Sequence, residues 1–355
     1  MKGWKRIGLK DFEFPNILEY HKEYLQIPED FPETVNLLKS NGGLGVENEH
    51  YFNEKALNGI GREFVSLVQE FSNSGISLYL PSKVKIHDPI RLEFAMDEKN
   101  PTVLDKNYIV AEAGSEATVI FDYSTDESIR AFHNGMLLVY AKENSTVNII
   151  KVQRMNDKSS NFDTNYAFIE GNGKVNWISV ELGSDISGVN YTSYLNEEAS
   201  QSDLSSIYLG DGLRKMDLSY TMVHRGPRSI SNIETRGVLM DKAKKVFRGN
   251  LDFKRGARHS TGVEEEYVIL LDPTVKSHSI PALLSEEDDV QGEHAASAGQ
   301  ISENKLFYLM SRGLSQRDAK KLIIEASFRP IIEKIAYGDL RSIINGEIER
   351  RLINA

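Results

Sequence analysis

The sequence contains no cysteine among its 355 residues. That absence excludes disulfide bonds, a thiolate nucleophile, cysteine-ligated zinc and any metal cluster held by sulfur from this chain alone. Soft-metal chemistry would therefore need thiolates from another molecule. There is also no run of about 18 apolar residues, and no apolar segment follows the basic residues near the start. We therefore expect a cytoplasmic protein that does not enter a membrane.

Positive charge is in short supply as well. The chain has 42 Lys and Arg against 52 Asp and Glu, a formal net charge of -10. This balance excludes a general attraction to nucleic acid or to anionic membranes, although a local basic patch remains compatible with it. The motifs of P-loops, dinucleotide-binding turns, zincins and hydrolase elbows are all missing. Any ATP chemistry would have to come from a partner.

What the sequence does contain is a long region of β-type segments between residues 75 and 284. Short runs rich in β-branched and aromatic residues alternate with Gly, Asn, Asp and Ser, as at 76–80, 108–110, 117–121, 136–140 and 146–150. Such a region forms a sandwich, a barrel, a propeller or a β-solenoid. Spacings of about ten and about twenty residues fit a solenoid with a coil of about twenty residues. Without a strict repeat, the pattern leaves the sandwich open.

Helical patterns flank this region. Phe64, Leu67, Val68 and Phe71 recur with the period of one helix face. After Gln300 the sequence predicts further helices, one of them beginning at a capping box formed by residues 315–318. Pro330 is expected to stop or restart that helix, and another amphipathic helix is predicted from residue 339. Their apolar faces either pack on the chain's own core or form a partner groove.

Two histidines, His278 and His294, lie where the β region meets the helical tail. His294 stands among small residues that let another backbone or an inorganic group approach, and a neutral imidazole is a competent soft-metal ligand. Close packing between layers explains the same small residues. The acidic residues 264–266 and 286–289 are most simply solvated turns, while a carboxylate pair for glycoside cleavage stays open.

A family resemblance rests on several blocks in a fixed order: residues 244–251 (KKVFRGNL), 261–266 (TGVEEE), 280–281 (IP), 288–290 (DDV), 293–301 (EHAASAGQI) and 306–315 (LFYLMSRGLS). Together these blocks resemble the SufB/SufD family of iron–sulfur cluster assembly proteins. The likeness is strong over about residues 235–335 and looser from 75 to 235.

The resemblance implies a mainly β fold: a right-handed parallel β-helix core at residues 75–300, an N-terminal helical or irregular segment at 1–74 and a C-terminal helical domain at 301–355. It also implies pairing with a SufB-like chain, a possible homodimer when alone, and docking of a SufC-like ABC-type ATPase on the C-terminal helices. The docking residues implied are Arg312, Gly313, Leu314, Ser315, Ala319, Leu322, Ile323 and Phe328.

Within the family the chain resembles the SufD branch. Val275 stands at the position of the SufB cysteine, and Ala295 replaces a SufB-type glutamate. His294 matches a SufD histidine implicated at the cluster site. The resemblance therefore implies a noncatalytic scaffold that shares a nascent iron–sulfur cluster transiently with SufB and binds none alone. The alternatives are a purely structural partner that supplies no ligand and, more remotely, a β-helix enzyme acting on polysaccharide.

Overall fold

A computed structural model describes residues 57–352 together with Phe12, Phe14, Pro15 and residues 35–37. Strands dominate the described chain. They are β1 (Val35–Leu37), β2 (Ile76–Leu80), β3 (Ile90–Met96), β4 (Thr102–Ala111), β5 (Glu116–Thr125), β6 (Phe132–Ala141), β7 (Thr146–Arg154), β8 (Ser160–Ile169), β9 (Lys174–Glu181), β10 (Ile186–Leu195), β11 (Gln201–Gly210), β12 (Lys215–His224), β13 (Ile230–Leu239), β14 (Lys244–Phe253), β15 (Ser260–Leu270), β16 (Lys276–Ser279), β17 (Ala282–Ser285) and β18 (Val290–Gln300). The helices are α1 (Arg62–Phe71), α2 (Glu303–Ser311), α3 (Gln316–Ile332) and α4 (Gly338–Leu352).

The strands form two sheets that the chain visits alternately. One sheet runs β1-β2-β4-β6-β8-β10-β12-β14-β16, with β17 also beside β14, and the other runs β18-β15-β13-β11-β9-β7-β5-β3. All these pairs are parallel except β1 with β2. Parallel neighbours reached through an intervening strand of the other sheet define a solenoid. The predicted fold class is therefore confirmed: a parallel β-solenoid of about eight turns, flanked by helices.

The coil is longer than the sequence spacing suggested. Register pairs Thr102 with Phe132 and then Phe132 with Ser160, and successive turns of this sheet differ by 26 to 32 residues. The prediction of a coil of about twenty residues was wrong. The strands are mostly ten residues long, whereas only their most apolar parts stood out in the sequence.

A continuous apolar core fills the space between the two sheets. Alternate side chains of every turn point inward, and the largest of these include Trp177, Tyr191, Tyr220 and Phe247, all almost fully buried. Successive aromatic rings touch edge to face along the axis, with 5.1 to 5.6 Å between ring centroids. This stack supports the last turns of the solenoid, where the candidate site lies.

The helices cover the outer faces of the sheets. α1 places Val65 and Val68 against Tyr108 and Leu138 of the first sheet. On the second sheet, α3 and α4 bury an apolar stripe against strands β5, β7, β9, β11 and β13. Near the C-terminal end of α4, the guanidinium of Arg351 lies 3.1 Å from carboxylate oxygens of both Asp157 and Asp211. The α3–α4 pair is thus fixed to the solenoid wall.

Pro330 does not stop its helix as predicted, because α3 continues to Ile332. Proline removes one helical N–H and its hydrogen bond. However, Ile331 and Ile332, the two residues that follow, are buried in the interface with the solenoid. Their burial offsets the lost hydrogen bond and keeps the last turn helical.

Candidate functional site at the open end of the solenoid

The candidate site is built around β18, the last strand of the solenoid. β18 pairs with β15 along its whole length, and within the described residues no strand covers its other edge. From Glu293 to Gln300 every residue is exposed. Small side chains fill this stretch, so its backbone is accessible. An uncovered edge of this length presents free N–H and C=O groups that another strand can pair with.

His294 lies in the middle of this edge strand. Its register partner is Glu264 of β15, whose side chain faces the solenoid interior. Paired residues of parallel in-register strands project to the same side of a sheet. His294 therefore stands over the open end of the interior, exposed, with no protein partner for its ring among the described residues.

Directly beneath it lies a buried carboxylate. Neither oxygen of Glu264 has a hydrogen-bond partner among the described residues. Burial, followed by the neighbouring carboxylate of Glu266, raises the pKa of Glu264 to about 7. Gly249 makes room for this group, because a Cβ there would lie 2.6 Å from the carboxyl carbon. Glu264 is thus poised to hold or release a proton near neutral pH.

A second buried carboxylate beside it is fully paired. Glu266 accepts hydrogen bonds from Lys245 Nζ at 2.5 Å, from the Tyr208 hydroxyl at 2.9 Å and from Ser279 Oγ. Lys245 and Glu266 are both completely buried. Burial lowers the pKa of Lys245 despite the attraction of Glu266. The end of the solenoid therefore contains one satisfied ion pair and one unsatisfied acid.

The acids at 264 and 266 were expected in a solvated turn, and that interpretation was wrong. Residues 264–266 lie within β15, so that Glu264 and Glu266 point inward and Glu265 points outward. Sequence reasoning also missed Lys245 and Tyr208. The available signal was the alternation of acidic residues within a β-type segment, which indicates one face of a strand rather than a turn.

The described residues contain no group of three or more His, Asp or Glu side chains arranged to hold a metal ion. His294 by itself can offer one imidazole. An iron site at this end would need its remaining ligands, thiolates above all, from a second chain.

Other residues singled out by the sequence lie nearby in different roles. His278 is on β16, exposed and in register with Val246, so it faces away from the interior. Val275 precedes β16 and packs against the apolar core. Neither residue joins His294 in a common group.

The acidic residues at 286–289 do not resemble a glycosidase pair. Glu286 is held by Lys254 at 2.9 Å, and Glu287 accepts from the Gly256 N–H at 3.0 Å. These hydrogen bonds lower the pKa of both carboxyls. A general acid for glycoside cleavage needs a raised pKa. This turn therefore offers no support for the polysaccharide-active alternative.

The predicted docking residues occupy α2, the turn after it and α3. Arg312 is the C-cap residue that follows α2, Gly313 has a φ of 97°, and the Ser315 side chain caps α3 by accepting from the Asp318 N–H. Leu314 and Ile323 are half-buried. Ala319 and Phe328 are buried in the chain's own core, whereas Leu322 is 46% exposed. The predicted docking residues therefore fall into two groups: buried residues that hold α3 in place and exposed residues that a partner can contact.

Additional apolar side chains enlarge that surface. α2 buries none of its residues, and Phe307, Tyr308 and Met310 are among the most exposed large apolar side chains of the described chain. Together with Leu322 they are the exposed large apolar side chains of α2 and α3, two helices that contact each other, and we call these four residues the α2–α3 patch. Contiguous exposed apolar side chains of this kind mark interaction sites.

No helix among the described residues has the length and apolarity required to cross a membrane.

Comparison with known proteins gives a consistent family. Residues 94–327 match the family "SUF system FeS cluster assembly, SufBD core domain". An iron–sulfur cluster assembly SufBD family protein of Staphylococcus epidermidis is 25% identical over 325 residues, which cover 89% of this chain and 70% of the relative.

A second relative identifies the branch. The iron–sulfur cluster assembly protein SufD of Bacillus subtilis is 24% identical over 306 residues, covering 86% of this chain and 70% of that protein. The family match spans most of the solenoid and continues into α3. The chain therefore belongs to the SufB/SufD family of the SUF iron–sulfur cluster assembly system, as a SufD-like member.

Proposed function

We propose that this chain is a noncatalytic scaffold subunit that pairs with a SufB-like chain and docks a SufC-like ATPase in the cytoplasm. The observation that carries the proposal is the uncovered β18 edge, which presents His294 at the open end of the solenoid. Strand addition to such an edge satisfies backbone groups along its length. The nascent cluster is the cargo formed between the two chains.

His294 would act on that cargo from this chain's side. Its imidazole is exposed and unpaired, so no internal bond has to break before it contacts iron or sulfide. The partner would supply the thiolate that this cysteine-free chain lacks. As a base or as one iron ligand, His294 would help a cluster form without holding it permanently.

The α2–α3 patch would be the docking surface for the ATPase. Leu322, Phe307 and Tyr308 offer exposed apolar area, while Ala319 and Phe328 fix α3 on the solenoid wall. Movement of a partner on α3 would therefore be transmitted directly to the sheet that ends in β18. When no SufB-like chain is present, the same edge could pair with a second copy.

The purely structural alternative keeps both interfaces and assigns no ligand role to His294. Replacing His294 by Ala separates the two hypotheses. The variant should form the same complex but yield less cluster on anaerobic reconstitution with iron and sulfide, followed by visible absorbance. His87→Ala, which removes another exposed histidine far from β18, is the matched control. An undiminished yield in His294→Ala would leave only the structural role.

A further inference from the structure

A stack of lysines lies on the sheet that does not contain β18, where three of its strands begin. Lys215, Lys244 and Lys276 begin strands β12, β14 and β16 and are direct register partners. Neighbouring strands of a sheet are about 4.8 Å apart, so the three side chains form a short ladder. Lys242 lines the same cleft, which has a volume of about 460 Å³.

These four ammonium groups form no ion pair with the residues that the structure describes. Among the described residues none of them has a carboxylate within ion-pair distance, and Asp185 is the one acid lining the cleft. The other nearby acids are engaged elsewhere: Asp211 binds Arg214 and Arg351 at 2.7 and 3.1 Å, and Asp241 accepts from the Gly212 N–H at 2.8 Å.

Such an arrangement opposes folding. Like charges directly opposite each other on adjacent strands are destabilising, and this chain has an excess of acids from which partners could have come. Local conflicts with the rules of stability concentrate at functional sites. A row of unpaired cations in a concave site therefore indicates an anionic ligand that is absent from the fold itself.

The shape and the residue type narrow the class of ligand. Lysine binds phosphate as a compact point charge, whereas the planar fork of arginine binds carboxylates and phosphates bidentately. A linear row of three lysines with a fourth beside it matches an anion whose charges are also in a line. The volume falls within the range of small-molecule sites. We propose that this cleft binds an oligophosphate chain, either free or as part of a nucleotide, independently of the proposed scaffold role.

The direct test is calorimetric titration of the full chain with tripolyphosphate and, separately, with ADP in low-salt buffer. We expect one site, with affinity that falls as salt is added. Lys244→Gln with Lys276→Gln should weaken binding roughly tenfold. The control pair Lys83→Gln with Lys99→Gln removes the same charge from exposed positions outside the cleft and should leave the affinity unchanged.

The relative affinities of the two probes distinguish a nucleotide ligand from a free phosphate chain. Tighter binding of ADP than of tripolyphosphate indicates a nucleotide, whereas equal or weaker binding of ADP indicates a free phosphate chain. Three results would overturn the proposal: no binding of either probe, equal weakening by the control pair, or tighter binding of a pentaglutamate peptide. Thermal unfolding provides a second check. Without ligand the Lys244→Gln, Lys276→Gln chain should melt at the same or a higher temperature, and a lower one would contradict the claimed repulsion.

Discussion

Replacing Glu264 by Gln should stabilise the isolated chain at alkaline pH and leave it unchanged at acid pH. Glu264 is buried without hydrogen-bond partners, and its pKa is raised from 4.5 to about 7. The folded chain therefore holds this proton more tightly than the unfolded chain does. The resulting stability is fully present below about pH 4.5 and is lost as the pH rises through about 7. Glutamine has a similar shape and never ionises.

The size of the stabilisation expected for Glu264→Gln follows from the shift in the pKa of Glu264. One pKa unit corresponds to about 1.4 kcal/mol, so the full shift would be worth about 3 kcal/mol. The site lies at the open end of the solenoid, where water screens the charge, and this reduces the expected gain to about 1–2 kcal/mol. Other buried acids, such as Glu181, also titrate, but they cancel when the variant is compared with the parent chain.

The assay is equilibrium urea unfolding of both proteins at several values between about pH 5 and about pH 8. Glu265→Gln is the matched control, because Glu265 is the outward-facing neighbour on the same strand. The difference between Glu264→Gln and the parent should grow with pH, whereas that for Glu265→Gln should stay flat. A Glu264→Gln difference that does not vary with pH, or a loss of stability at about pH 8, would refute the claim that Glu264 is an unpaired buried acid.

Two further predictions concern the supporting structure. Phe328→Ala should lower the free energy of unfolding in urea by about 3–5 kcal/mol, because it leaves a cavity at a packed position under α3. Leu322→Ala should change that free energy by no more than about 0.5 kcal/mol. It should nevertheless weaken the capture of a SufC-like ATPase. Equal stability losses in the two variants would contradict the assignment of Phe328 to the buried core and of Leu322 to the exposed surface. Lys245→Met should lower the free energy of unfolding by about 3–5 kcal/mol, because it leaves the buried Glu266 carboxylate without its cation. Adding Glu266→Gln should restore part of that loss, and no recovery in the double variant would count against the ion pair as its cause.

The strand pattern predicted a β-rich core and left the sandwich open, the family resemblance supplied the β-helix, and neither gave the coil length. Runs such as 146–150 are visible because their β-branched residues cluster, and they lie within β7 (Thr146–Arg154). Polar residues on the inward side, such as Asn161 and Asp163 of β8, are nearly fully buried and look like loop residues in the sequence. The solenoid tolerates them because they pair inside, as in the 2.6 Å contact of Asp163 with Lys151.

The site was only partly predictable for a related reason. The position of His294 among small residues indicated that another backbone or an inorganic group could approach it, and the family resemblance supplied the role proposed for it. The Glu264 carboxylate beneath it depends on a register between strands thirty residues apart, which no local pattern specifies. In the same way, the lysine ladder joins residues far apart in the chain. Only the alignment of turns brings them together.

The most direct test of the scaffold function is the mass of the complex formed with a SufB-like and a SufC-like protein of the same source, measured by light scattering after size exclusion. Ala296→Lys places a charge on the exposed β18 edge, and Ala95→Lys places the same charge at an exposed side chain of β3, the strand at the opposite end of the same sheet. Edge charges block strand pairing. We expect Ala296→Lys to lose the SufB-like chain but keep the ATPase, and Ala95→Lys to keep both. Retention of the SufB-like chain by Ala296→Lys, or no association by the parent chain, would contradict pairing through β18.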